Sequence, residues 1–155
     1  MSVSDRLREL GLTLPEVAVP VANYVPALRH GDLVWTSGQL PMVDGALPLT
    51  GKVGEGKGLV TPEHATELAR VAALNGLAAV AARVGNLDAV VRVVKVVGYV
   101  ASDPSFTGQP GVVNGASDLL GEIFGDAGMH ARSAVGVSVL PLDAPVEVEL
   151  VLALA

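Results

Sequence analysis

His130-Ala131-Arg132-Ser133, running on into Ala134-Val135-Gly136-Val137-Ser138-Val139-Leu140 and answered by Val146-Glu147-Val148-Glu149-Leu150, decides how this chain folds and where its chemistry lies. An arginine stands at the mouth of one apolar strand, and two carboxylates stand inside the next. A charge buried without a partner or a task is costly. Three ionisable groups set among valines and leucines therefore mark a site ahead of a solvated surface.

Working outward, the final strand Val146 to Leu154 places Val146, Val148, Leu150, Leu152 and Leu154 on one face. Its other face carries Glu147 and Glu149, then Val151 and Ala153. A second long strand is predicted over Val90 to Ala101, broken by charge at Arg92 and Lys95, which strict alternation puts on opposite faces. Tyr24 to Leu28 and Leu33 to Ser37 read as a hairpin across His30-Gly31-Asp32, and Ser133 to Leu140 as the fourth strand. Thr61-Pro62-Glu63 starts a helix with a hydroxyl cap and a proline in the first turn, and Gly85 ends it after Val84. Pro110 opens a second helix through Phe124, with Ala116, Leu119, Leu120 and Ile123 at helical spacing. Ser4 caps a short N-terminal helix through Leu10.

The order is β-β-α-β-α-β-β, an α+β single sheet with two helices on one face. Both sheet faces are largely apolar, and two helices cover only one of them. A second subunit is expected to supply the missing layer.

The 155 residues make a single domain, 1–155, in which 1–19 form the N-terminal helix and an extended lead-in. Half of the residues are hydrophobic and the mean hydropathy is +0.51, ample for a core. Charges and glycines interrupt every apolar run short of eighteen residues, so no membrane span is expected. The first ten residues lack an apolar signal core, which predicts a cytoplasmic protein. With no cysteine, disulfides, thiolate catalysis and Cys-ligated zinc are all excluded. A formal charge of −6 argues against a nucleic-acid partner. Gly51 to Gly58 nearly spells a phosphate-binding loop, but Gly58 stands where a magnesium-ligating Ser or Thr is required. His30, His64 and His130 have no metal-ligand spacing, so no metal site is predicted; His130, beside Arg132, is a rim residue.

Tyr24, Val34-Trp35-Thr36-Ser37-Gly38-Gln39-Leu40-Pro41, Val113-Asn114, Ala131-Arg132-Ser133 and Leu140-Pro141 with Val146-Glu147-Val148-Glu149 together resemble the RidA (YjgF-type) family of enamine/imine deaminases. The resemblance runs in order from about Pro20 to Leu150. It implies a chorismate-mutase-like fold, a homotrimer with clefts at the subunit interfaces, a small carboxylate-bearing metabolite as ligand, and no cofactor. By the same resemblance Arg132 grips the carboxylate of a 2-imino or 2-enamino acid, and Glu147 handles the attacking water. Ser37, the Gly38 amide and Tyr24 line the cleft. Ala134 stands where many deaminases carry cysteine, and Gly136 where an acid is common, which marks a divergent subgroup. Asn114 reads as a helix-to-loop hydrogen-bonder. Arg132 and Glu147 are expected to face one pocket in the seam between protomers.

The chemistry is self-consistent. A planar guanidinium orients a carboxylate by two parallel hydrogen bonds. Water attacks the imine carbon, ammonia leaves and a 2-oxo acid remains. Burial, and like-charge repulsion from Glu149 on the same face, would draw Glu147 toward neutrality as a base. Two other readings compete: a carboxylate-binding trimer with a sensing or regulatory role and no catalysis, and an endoribonuclease or translation inhibitor. Acidic charge and the lack of paired histidines disfavour the last.

Overall fold

In the computed structural model, which describes residues 1–155 apart from 18 and 21, the strand Val146–Leu154 (β5) lies at the centre of a five-stranded sheet. Its alternation is unbroken: the even residues are buried, and the odd ones between them are partly exposed. Ala27–His30 (β1) and Leu33–Thr36 (β2) form the hairpin, and Val90–Ala101 (β3) and Ala131–Val137 (β4) complete the sheet. The order is β1-β2-β5-β3-β4, antiparallel except where β4 runs parallel to β3. A parallel pair needs a crossover, and the helix Gln109–Phe124 (α3) provides it. Pro62–Val84 (α2) lies beside α3 on the same face, and Val3–Glu9 (α1) packs against α3.

Helix α2 begins and ends where its sequence dictates. Thr61 Oγ1 accepts the His64 amide at 3.2 Å, Pro62 occupies the first turn, and Gly85, at φ 103°, closes the helix. Its length and composition would also suit a membrane span, but most of its apolar window is buried inside the fold. Ala65, Ala69, Ala72 and Ala73 are fully buried, and such small side chains permit close packing. Two glycines set the height of α3. A Cβ on Gly115 would collide with the Thr66 carbonyl of α2, and one on Gly98 of β3 would collide with Val113. Helix α3 therefore sits low over β3 and reaches across to β4.

Four expectations need correction. The cap of α1 is Ser2, not Ser4: Ser2 Oγ accepts the Asp5 amide at 3.0 Å, and the Asp5 carboxylate reaches back to the Ser2 amide. Ser4 instead donates its amide and hydroxyl to Asp88, at 2.9 and 2.8 Å, tying α1 to the turn before β3. Strand β1 starts at Ala27 rather than Tyr24, and β4 ends at Val137 rather than Leu140. In both cases the partner runs out, for Ala27 pairs with Thr36 and Val137 with Ala101, the last residues of β2 and β3. Finally, Arg92 and Lys95 share a face. Register shifts after Val90 and Val93 pair them with Ala153 and Val151, both on the odd face of β5, because an extra residue in a strand inverts the alternation beyond it.

Among the described residues no helix covers the odd face of the sheet. Leu28, Trp35 and Val135 stand there about half exposed, beside Val97, Tyr99 and Val151. Glu147 and Glu149 lie within this apolar surface.

Candidate functional site

A break in pairing builds the surroundings of Glu147. Strand β2 pairs with β5 up to Trp35, opposite Val151, and Gln39 resumes contact at Val148 through two backbone hydrogen bonds of 2.8 and 3.0 Å. Between them Thr36 turns its hydroxyl inward and accepts the Leu150 amide at 2.9 Å, filling the gap in the ladder. Ser37 and Gly38 are left to bulge over the open face. There a Cβ on Gly38 would lie 2.7 Å from Glu147 Cδ and 2.9 Å from Oε1, so only glycine fits without displacing the carboxyl group. No protein group accepts the Gly38 N–H among the described residues. Asn75 of α2 pins the chain beyond, donating to the carbonyls of Leu40 and Met42 at 3.0 and 3.1 Å.

Ser37 and Tyr24 belong to this neighbourhood. The Ser37 hydroxyl donates to the Val25 carbonyl at 2.6 Å and its amide to Pro26, which holds the Tyr24–Pro26 segment beside the bulge. Tyr24 itself is half exposed.

Burial raises the Glu147 pKa above the ordinary carboxylate value, and the nearby Glu149 charge adds to the rise. Glu149 accepts a hydrogen bond of 3.0 Å from the hydroxyl of Tyr99, the residue directly opposite Glu147 on β3. Tyr99 was not foreseen as part of the site, although its place two residues after Val97 put it on the same face. Its own pKa is raised, first by burial and then by its bond to Glu149.

Arg132 lies on the other side of the sheet. It pairs with Val96, a core residue, so its side chain points to the helical face, whereas Glu147 pairs with Tyr99 on the open face. Two strand spacings and three residues of rise put their Cα atoms roughly 14 Å apart. One protomer therefore does not bring Arg132 and Glu147 together. Ala134 shares the helical face with Arg132 and packs against the core. Asn114 is not a loop contact but the main anchor of the arginine. Arg132 Nη1 donates to Asn114 Oδ1 at 2.8 Å and to Ser117 Oγ at 3.2 Å, and Nη2 donates to the Pro110 carbonyl at 3.2 Å. All three acceptors are neutral, and Arg132 has no carboxylate partner among the described residues. It opens onto a cleft of about 600 Å³ between α3 and β4, lined also by Ser117, Asp118, Met129 and His130. No cluster of metal-ligating side chains occurs among the described residues.

A single mixed sheet, covered on one face by two helices and bare on the other, with an arginine on its parallel edge strand, defines a chorismate mutase-like α+β protein. The chain belongs to the YjgF/chorismate mutase-like family: residues 4–154 match the family described as "YjgF/chorismate_mutase-like, putative endoribonuclease". It is 44% identical over 148 residues to protein TCP17 of Trypanosoma cruzi, covering 95% of this chain and 91% of that one. Among solved structures it resembles Atu1372 of Agrobacterium tumefaciens, a protein of unknown function, at 42% identity and a TM-score of 0.87, covering 99% and 92% of the two chains. It also resembles a Shewanella oneidensis protein described as a "putative endoribonuclease", at 34% identity and a TM-score of 0.93, covering 99% and 100%.

Proposed function

We propose that this protein is a cofactor-free hydrolytic deaminase of small 2-imino and 2-enamino acids, working as a homotrimer whose clefts are shared between neighbouring copies. One observation carries the reading: a half-buried carboxylic acid, Glu147, sits on an uncovered apolar sheet face with its pKa raised, packed against Gly38, whose amide has no acceptor among the described residues. A raised pKa suits a group that must both accept and return a proton near neutrality. Arg132, oriented by neutral acceptors and lacking a counter-charge, suits a carboxylate ligand. Since the sheet separates the two within a protomer, the cleft takes Arg132 from one copy and Glu147 from its neighbour. Water loses a proton to Glu147 and adds to the imine carbon. Glu147 returns that proton to nitrogen to give a carbinolamine, then carries the proton of the carbinolamine hydroxyl to the same nitrogen, so that ammonia leaves as the C=O bond of the 2-oxo acid forms. The imine carbon is electrophilic already, so this route uses no organic cofactor.

The experiment is complementation. Arg132→Ala and Glu147→Ala are each expected to release ammonia from freshly generated 2-iminobutanoate no faster than buffer. Differently tagged and co-expressed, they should form mixed trimers, recovered through both tags, in which one cleft of the three receives both wild-type groups, restoring about a third of the activity. Mixed trimers, proven by tandem purification, that stay inactive would overturn the shared cleft. Wild-type activity in Arg132→Ala would remove the arginine from the chemistry altogether.

A further inference from the structure

We infer that Ser117 and His130 are positioning residues: they form a hydrogen-bond chain of fixed polarity that holds the Arg132 guanidinium in its carboxylate-binding pose. The inference rests on Arg132 being the carboxylate grip. Its starting point is the Gly128 carbonyl, which lies 2.6 Å from His130 Nδ1. A carbonyl can only accept, so Nδ1 carries the hydrogen. In the neutral imidazole the other nitrogen is then an acceptor. His130 Nε2 lies 2.9 Å from Ser117 Oγ, so the serine hydroxyl donates its one hydrogen to the ring. What remains on Ser117 Oγ is lone pairs, and Arg132 Nη1 donates into them at 3.2 Å. Every link has one direction, from the guanidinium through the hydroxyl and the imidazole to a backbone carbonyl. The carbonyl itself is held in place: Gly128 is buried, and a Cβ there would collide with the Leu120 carbonyl of α3.

The chain has a purpose that Asn114 alone does not serve. Asn114 and Ser117 lie one turn apart on α3 and take both hydrogens of Nη1. Two acceptors on one nitrogen, with Pro110 on Nη2, fix the plane of the guanidinium as well as its position. A serine free to rotate its hydroxyl could point a hydrogen at Arg132 and repel it. His130 removes that option by claiming the hydrogen. The remaining N–H groups then face the cleft in a set plane, which is what bidentate recognition of a carboxylate needs.

Because the grip acts alike on bound substrate and on the transition state, its loosening should appear in KM and spare kcat. The test measures the dissociation constant of 2-oxobutanoate by calorimetry and the steady-state constants for 2-iminobutanoate. Ser117→Ala should weaken binding and raise KM by about tenfold, the loss expected for a hydrogen bond to a charged group, with kcat within about twofold. Ser117→Thr should restore both. His130→Ala should weaken binding less, and should add nothing in the Ser117→Ala background, since residues in one chain are not additive. If Ser117→Ala binds as wild type while Arg132→Ala has lost binding, the chain is refuted and the grip stands. If Arg132→Ala also binds as wild type, the grip and the chain fall together.

Discussion

Gly38→Ala is the sharpest probe of the Glu147 site, because the backbone there accepts alanine and only one neighbour objects. Gly38 does not have positive φ, so the methyl group brings no backbone strain. Its three nearest atoms are all from Glu147: Cδ at 2.7 Å, Oε1 at 2.9 Å and Cγ at 3.0 Å. Ordinary carbon contacts start near 3.5 Å, so the carboxyl group must retreat by roughly 0.8 Å. Overpacking of this size costs about 1–3 kcal/mol, against roughly 0.4–1 kcal/mol gained from a stiffer unfolded chain. The net loss should lower the melting temperature by a few degrees, at about 2–4 °C per kcal/mol for a chain of this length. Activity should suffer more, since a misplacement of about 1 Å in a reacting group costs on the order of a hundredfold. The discriminating measurement is the same substitution in a Glu147→Ala background. With the Glu147 side chain cut back to Cβ the three closest atoms are gone, and Gly38→Ala should there be neutral or stabilising. Equal destabilisation in both backgrounds, or full ammonia-release activity in Gly38→Ala, would refute the placement of the carboxyl group against this bulge.

Three further outcomes follow from the geometry. Glu149→Gln removes the charge that helps raise the Glu147 pKa, so the acid limb of the kcat/KM profile should move to lower pH; a limb that stays put or moves up would contradict the assignment. The sign is fixed because the active form is the ionised base, and a lower pKa keeps it ionised in more acidic solution. Gly115→Ala should destabilise toward the upper end of about 1–3 kcal/mol, because the new methyl group meets the backbone of α2 rather than a movable side chain. In the same helix Gly121→Ala meets nothing and should stabilise by up to about 1 kcal/mol through helix propensity, with both changes read by thermal melts.

Strands β3 and β5 and helix α2 were legible to the residue, since each carries its own signal: repeated valine pairs, strict alternation, a Thr-Pro start and a glycine stop. The ends of β1 and β4 were not, because a strand stops where its partner does, and the strand-like pattern Val137-Ser138-Val139-Leu140 continues past the end of β3. The bulges that bring Arg92 and Lys95 to one face leave no composition mark in Val90–Lys95. Among the site residues, Gly38 lies against Glu147 and Ser37 precedes it in the same bulge, whereas Arg132 lies on the opposite face of the sheet within a protomer. Whether two residues on different strands share a face depends on the parity of every register between them, and here that count passes through the β5–β3 and β3–β4 pairings. Asn114 and Ser117 acquire their role only when α3 is laid across β4, a placement decided by Gly98 on β3 and by the close approach of Gly115 to the α2 backbone.

The separation that sequence reading missed makes chemical sense. Were Arg132 and Glu147 neighbours on one face of one protomer, they would pair. An adjacent cation favours the ionised carboxylate and lowers its pKa, which weakens it as a base, and the pairing would also occupy the guanidinium that must meet substrate. The sheet between them acts as an insulator. On one side Glu147 is left with apolar neighbours and a like charge, both of which raise its pKa. On the other, Arg132 is oriented by an amide oxygen, a hydroxyl and a backbone carbonyl, none of which cancels its charge. Under the proposed assembly the two groups meet across a subunit boundary, where a substrate carboxylate can occupy the arginine before the glutamate does. The base then keeps its basicity because the substrate supplies the counter-charge that Glu147 would otherwise have provided.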